Sequence, residues 1–218
     1  REPVSVKSLH LTTYQYTSLA SELKSKAASA LVWSGIEGYG RQGIQLFIAI
    51  ILARMLPVSD FGLIAMIAIF LAVSQTLVDS GFGSALIQRK EPSNEDYSTI
   101  FLFNLMVGVG LYISIFLLAP LIAAFFKQPI LESVVRVYAL VIILNSLGLV
   151  QETIMMKTWR YRMLAKIAIA SIITSGAVGI SMAYAGFGVW ALVGQIIALY
   201  ASRVGFLWLF SHWRPAWS

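Results

Sequence analysis

The stretch ASALVWSGIEGYGRQGIQLFIAIIL, Ala28–Leu52, is apolar and long enough to cross a bilayer, yet it carries Glu37 and Arg41 near its middle. A helix needs about 20 residues to cross a hydrocarbon core. A charge near the centre of that core costs roughly 2.5–3.5 kcal/mol on insertion scales, so such side chains face a bundle interior or a wet cavity. Ser34, Glu37, Arg41 and Gln45 recur every three or four residues and share one helix face. Gly35, Gly38, Gly40 and Gly43 thin the same segment and permit close helix approach. One reading is a polar stripe lining a cavity, with Arg41 open to an anionic group. The other is a Glu37–Arg41 pair at i,i+4 that neutralises itself. The first is favoured because a self-paired charge in lipid is still costly.

Five further apolar runs follow, at about 61–78, 99–126, 130–150, 164–184 and 189–210. Strands of a membrane barrel would be about half as long and would alternate strictly, and these runs do not. The chain is 58% hydrophobic and 12% charged over 218 residues, against roughly 25% charged for a soluble domain. These features predict an all-α polytopic membrane protein: a segment at 1–27, a bundle of six transmembrane helices over 28–212 and an end at 213–218. The chain opens at Arg1 and stops directly after the sixth run, which reads as a fragment, with Leu19 a candidate start. There is no cysteine, which excludes disulfide frameworks and thiolate metal sites. The net charge of +6 gathers in alternate loops, a pattern of membrane topology rather than of nucleic-acid binding. By the positive-inside rule both ends are expected in the cytoplasm.

Other polar groups fall inside the runs: Gln75, Asp79, Asn104, Arg136, Asn145, Ser171, Thr174, Ser175, Gln195 and Arg203. Arg203 either snorkels to the nearer surface or joins Arg41 in one cationic cavity. Arg136 reads better as a snorkelling residue. Lys157, Arg160, Arg162 and Lys166 form a basic, aromatic loop with Trp159 and Tyr161. They could hold lipid headgroups at an entrance, though a topology signal explains them as well. The two histidines, His10 and His212, lie at opposite ends of the chain. No catalytic constellation, cofactor motif or metal motif can be assembled, so no catalytic residue, cofactor or metal is expected.

The segment Leu52-Ala-Arg-Met-Leu-Pro-Val-Ser-Asp-Phe-Gly62 resembles the Leu-Ala-Arg-x-Leu-x-Pro-x-Asp-Phe-Gly signature of polysaccharide transporters. These belong to the multidrug/oligosaccharidyl-lipid/polysaccharide exporter superfamily. The proline here stands three residues before the aspartate instead of two. The likeness continues through Asp79–Lys90, Ala119–Phe126 and Gly186–Gln195. It implies a bacterial inner-membrane flippase of two six-helix lobes, of which this chain supplies the N-terminal one. The implied cargo is an oligosaccharide on undecaprenyl pyrophosphate, moved by alternating access, with the C-terminal lobe and membrane lipids as partners and no nucleic acid. Arg54, Asp60 and Gly62 match the signature and are expected to orient a helix hairpin. On the family's cationic cavities, Arg41 and Arg203 are candidates for the pyrophosphate, with Glu37, Gln45 and Ser34 beside them. Two alternatives stand: a cation-coupled multidrug exporter, which needs an acidic midplane site, and a membrane glycosyltransferase or ligase using Glu91, Glu95 or Asp96.

Overall fold

A computed structural model of the chain describes residues 38–79, 94–211 and 213–215. These are helical nearly throughout, with no strand among the described residues. The helices are α1 over 38–55, α2 Val58–Asp79, α3 Asn94–Phe125, α4 Ile130–Tyr138, α5 Leu140–Lys157, α6 Tyr161–Tyr184 and α7 Val189–Phe210. Among the described residues, four stretches are long and apolar enough to cross a membrane: Glu95–Phe125, Ile130–Lys157, Tyr161–Tyr184 and Val189–Phe210. The chain is a polytopic helical membrane protein. Residues 28–37 of the first run, including Ser34 and Glu37, lie outside the described residues. The fourth run does not stop at Val150. It continues as α5 to Lys157 and is interrupted only at Ala139, between α4 and α5.

Three tight turns are built in one way. Lys127, Trp159 and Gly186 take φ of 54°, 56° and 80°. In each turn the next amide reaches back five residues: Gln128 N–H donates to Ala123 O at 3.0 Å, Arg160 to Met155 O at 2.9 Å and Phe187 to Met182 O at 3.1 Å. The positive-φ residue itself donates three residues back, to Ala124, Met156 and Ala183. This paired pattern satisfies the last carbonyls of α3, α5 and α6 and turns the chain sharply. Consecutive long helices therefore run antiparallel. The turns at 56–57, 126–129 and 185–188 lie at one end of the bundle, and 158–160 and 211–215 lie at the other.

The central helix is α7. Val189 and Val193 pack with Ile67 of α2, Ile115, Ala119 and Ile122 of α3, and Leu131 and Val134 of α4. Ala191 and Leu192 pack with Ile48 and Leu52 of α1, with Leu56 just past its end, and with Ile172 and Ala183 of α6. Leu207 packs with Met155, Leu164 and Ile167 at the opposite end. Small residues let these backbones approach, as membrane helices require. A side chain at Gly108 would strike Ser146 across the α3–α5 seam, and one at Gly176 would strike Ile48. A Cβ at Gly179 would lie 2.8 Å from Gln195 Cβ across the α6–α7 seam. The outer face of α3 is apolar: Met106, Ile113, Leu117, Leu121 and Phe125 are all exposed, as a lipid-facing helix demands.

Candidate functional site

Among the described residues, two cavities with polar groups in their walls stand out. The first, of about 230 Å³, lies between α1, α6 and α7 and is lined by Gln45, Ile48, Ile172, Ser175, Gln195, Ile196 and Leu199. The Ser175 hydroxyl donates to Ile172 O of its own helix at 2.8 Å, so the two glutamine amides supply the free polar character. The second, of about 350 Å³, lies between α5 and α7 and is lined by Asn145, Leu149, Glu152, Thr153, Met156, Tyr200 and Arg203. At 100° per residue, Gln195, Leu199, Arg203, Ile196 and Tyr200 fall within one arc of about 140° on α7. Both cavities therefore open on the same face of that helix.

The charges are placed as follows. Arg203 Nη2 donates to Glu152 Oε1 at 2.7 Å, with 29% and 27% of the two side chains exposed. Arg41 and Gln45 stand on one exposed face of α1, one turn apart. Arg41 precedes Gln45 by about 6 Å of rise, and Arg203 follows Gln195 by about 12 Å. Because α1 and α7 run in opposite directions, both arginines lie on the same side of the glutamine-lined cavity, toward the end that carries 158–160 and 211–215. Local periodicity did not single out Glu152. It sits in Gln151-Glu152-Thr153, which interrupts the fourth apolar run, and the signal that could have found it is the return of apolar residues at Ile154-Met155-Met156.

The basic loop divides its work. Arg160 Nη1 donates to Phe210 O at 3.4 Å, at the C-terminus of α7. Arg214 donates to Trp208 O at 3.0 Å and to Ser211 O at 2.8 Å, and its guanidinium lies 5.4 Å from the centre of the Trp208 ring. Two cations thus meet the negative end of the α7 dipole, where they are favoured. Trp213 stacks edge-on against Tyr97 and Phe101 of α3, with centroids 6.1 and 6.0 Å apart. Arg162 and Lys166 are exposed and Lys157 is half-buried. At the opposite end Arg136 pairs with Glu132 at 2.9 Å and lies 4.7 Å from the Phe116 ring centre.

Of the signature residues, Arg54 is exposed and Asp60 half-buried. A Cβ at Gly188 would lie 3.3 Å from Asp60 Oδ2. That sets the carboxylate at the positive end of α7 and ties the start of α2 to the start of α7. Gly62 has no neighbour among the described residues within 4 Å of where a Cβ would stand. Asn104 is buried, and its Nδ2 has no hydrogen-bond partner among the described residues. Among the described residues no group of three or more His, Cys, Asp or Glu could hold a metal ion.

Residues 51–218 match the family described as polysaccharide biosynthesis protein. The chain belongs to this family. Several curated relatives are similar to it in sequence. The teichuronic acid biosynthesis protein TuaB of Bacillus subtilis is 29% identical over 193 residues, 86% of this chain and 39% of the relative. The lipopolysaccharide biosynthesis protein WzxC of Escherichia coli is 26% identical over 151 residues, 69% of this chain and 31% of the relative. The succinoglycan biosynthesis transport protein ExoT of Rhizobium meliloti is 24% identical over 183 residues, 84% of this chain and 37% of the relative. The chain thus spans well under half the length of these relatives. No solved structure matches it. The matched region holds Glu152, Gln195 and Arg203, while Arg41 and Gln45 precede it.

Proposed function

We propose that the protein to which this chain belongs translocates a polyprenyl-pyrophosphate-linked oligosaccharide across the bacterial cytoplasmic membrane, and that this chain supplies one of its two lobes. Family membership supports a role in polysaccharide export. The observation that carries the reading further is the single face of α7 on which two polar-walled cavities open, with Arg203 on that face and Arg41 on the same side. Guanidinium groups bind phosphate oxygens through several planar donors and stay charged at any working pH. Amides such as Gln45 and Gln195 can meet sugar hydroxyls. The pyrophosphate head would sit among these groups while the prenyl tail stays in the bilayer. A second lobe would close the open side, and rocking of one lobe on the other would expose the head to each side in turn. The basic ends at 158–160 and 211–215 would then face the cytoplasm.

The test is complementation of a flippase-null strain by the full-length protein. Arg41→Ala and Arg203→Ala should each lower polymer export about tenfold, the scale of one charge-assisted contact in a low-dielectric site, at unchanged membrane abundance. Unchanged export in both variants would remove this site from the reading.

A further inference from the structure

The arginine best placed to bind a phosphate already has an anion of its own. We propose that Glu152 is a built-in competitor for Arg203: it holds the guanidinium until an anionic head displaces it, and so sets a charge threshold for cargo. This rests on the reading of Arg203 as an anion-binding group.

Three observations favour a displaceable partner over a permanent strut. The hydrogen bond between the two side chains joins one guanidinium nitrogen to one carboxylate oxygen, Nη2 to Oε1 at 2.7 Å. A guanidinium has five donors, and a pair built for rigidity engages two of them in parallel. The pair also lines a cavity of about 350 Å³, roughly the share of ten liquid waters, so an incoming group has room beside it. Finally, more than a quarter of each side chain is exposed, so neither ion must be dragged out of a closed core.

The chemistry follows from depth. Arg203 lies seven residues before Phe210, about 10 Å from the end of α7. A lone guanidinium there would be costly, and Glu152 brings the local charge to zero. A monoanionic or neutral head gains little by replacing a carboxylate already at hydrogen-bond distance. A pyrophosphate carries more charge and more acceptor oxygens, so it can win the exchange. Glu152 then turns to water in the same cavity. Rejection of weakly charged lipids would come from this internal anion and not from a steric filter.

The test uses the full-length protein in detergent with farnesyl pyrophosphate as probe and farnesol as the uncharged control. Glu152→Gln should tighten farnesyl pyrophosphate about tenfold and leave farnesol unchanged. Arg203→Gln should lose pyrophosphate binding, and the double variant should behave like Arg203→Gln. If Glu152→Gln does not fold, Glu152→Asp decides. Its shorter side chain holds Arg203 less well, so tighter binding supports the proposal, and equal or weaker binding overturns it. Loss of binding in Arg203→Gln with no gain in Glu152→Gln overturns the competitor while sparing the anion site. Unchanged binding in every variant overturns both.

Discussion

The α6–α7 seam gives the sharpest stability prediction. A Cβ at Gly179 would lie 2.8 Å from Gln195 Cβ, 3.0 Å from its Cγ and 3.4 Å from its Cδ. Carbon atoms rest at about 3.5–4.0 Å, so Gly179→Ala asks the seam to open by roughly 0.7–1.2 Å. Rotation about χ1 or χ2 can move Gln195 Cγ and Cδ away. It cannot move Cβ, which is fixed to the α7 backbone. Overpacking of this kind costs about 1–3 kcal/mol, and the better helix propensity of Ala returns up to about 1 kcal/mol. The net expectation is a loss of about 1–2 kcal/mol, or about 2–8 °C in melting temperature for a domain of this size. The matched control is Gly110→Ala on α3, where no described residue lies within 4 Å of the added Cβ. It should be neutral or slightly stabilising. Thermal unfolding in detergent, followed by tryptophan fluorescence, reads both. A Gly179→Ala protein that melts at or above the parent would refute the claim that this glycine exists to let the two helices approach.

Two further substitutions probe the ends of the bundle. Lys127→Gly should raise stability by up to about 1 kcal/mol, because Lys127 sits at φ 54°, a conformation that costs an L-residue roughly 1–2 kcal/mol; a lower melting temperature would count against it. Arg214→Ala removes donors from the Trp208 and Ser211 carbonyls and a cation from the Trp208 ring. It should cost about 1 kcal/mol and red-shift the tryptophan emission as the Trp208–Phe101–Trp213 cluster loosens; an unchanged spectrum would show that the cluster holds without it.

What the sequence disclosed was length and polarity, and what it hid was convergence. The last run, 189–210, coincides with α7 because Gly188 and Ser211 bracket it and nothing polar interrupts it near an end. The fourth run lost its final two turns to Gln151-Glu152-Thr153, and the anionic partner of Arg203 went with them. That partner lies 51 residues away in sequence, beyond any local period. Gln45, Ser175 and Gln195 were each legible as polar groups inside apolar runs, but only the packing of α1, α6 and α7 brings them to one cavity. Trp159 and Lys127 carry no glycine-like signal for their left-handed backbone. Only the shortness of the connection forces it. Arg160 read as part of a basic loop, and the sharp turn at Trp159 is what aims it at the end of α7.

The hydroxyl groups have a consequence for motion. Ser146, Thr153, Ser171, Thr174, Ser181 and Ser202 each donate to a carbonyl three or four residues earlier in their own helix. Their protons are spent locally, so none of these donations bridges two helices. The Arg203–Glu152 pair and the Trp208 Nε1–H bond to Leu147 O do join α7 to α5, but a sideways slip of one helix past another breaks none of the six hydroxyl bonds. These hydroxyls therefore add no resistance to sliding of one helix along its neighbour, which would ease the lobe rocking proposed for the whole protein.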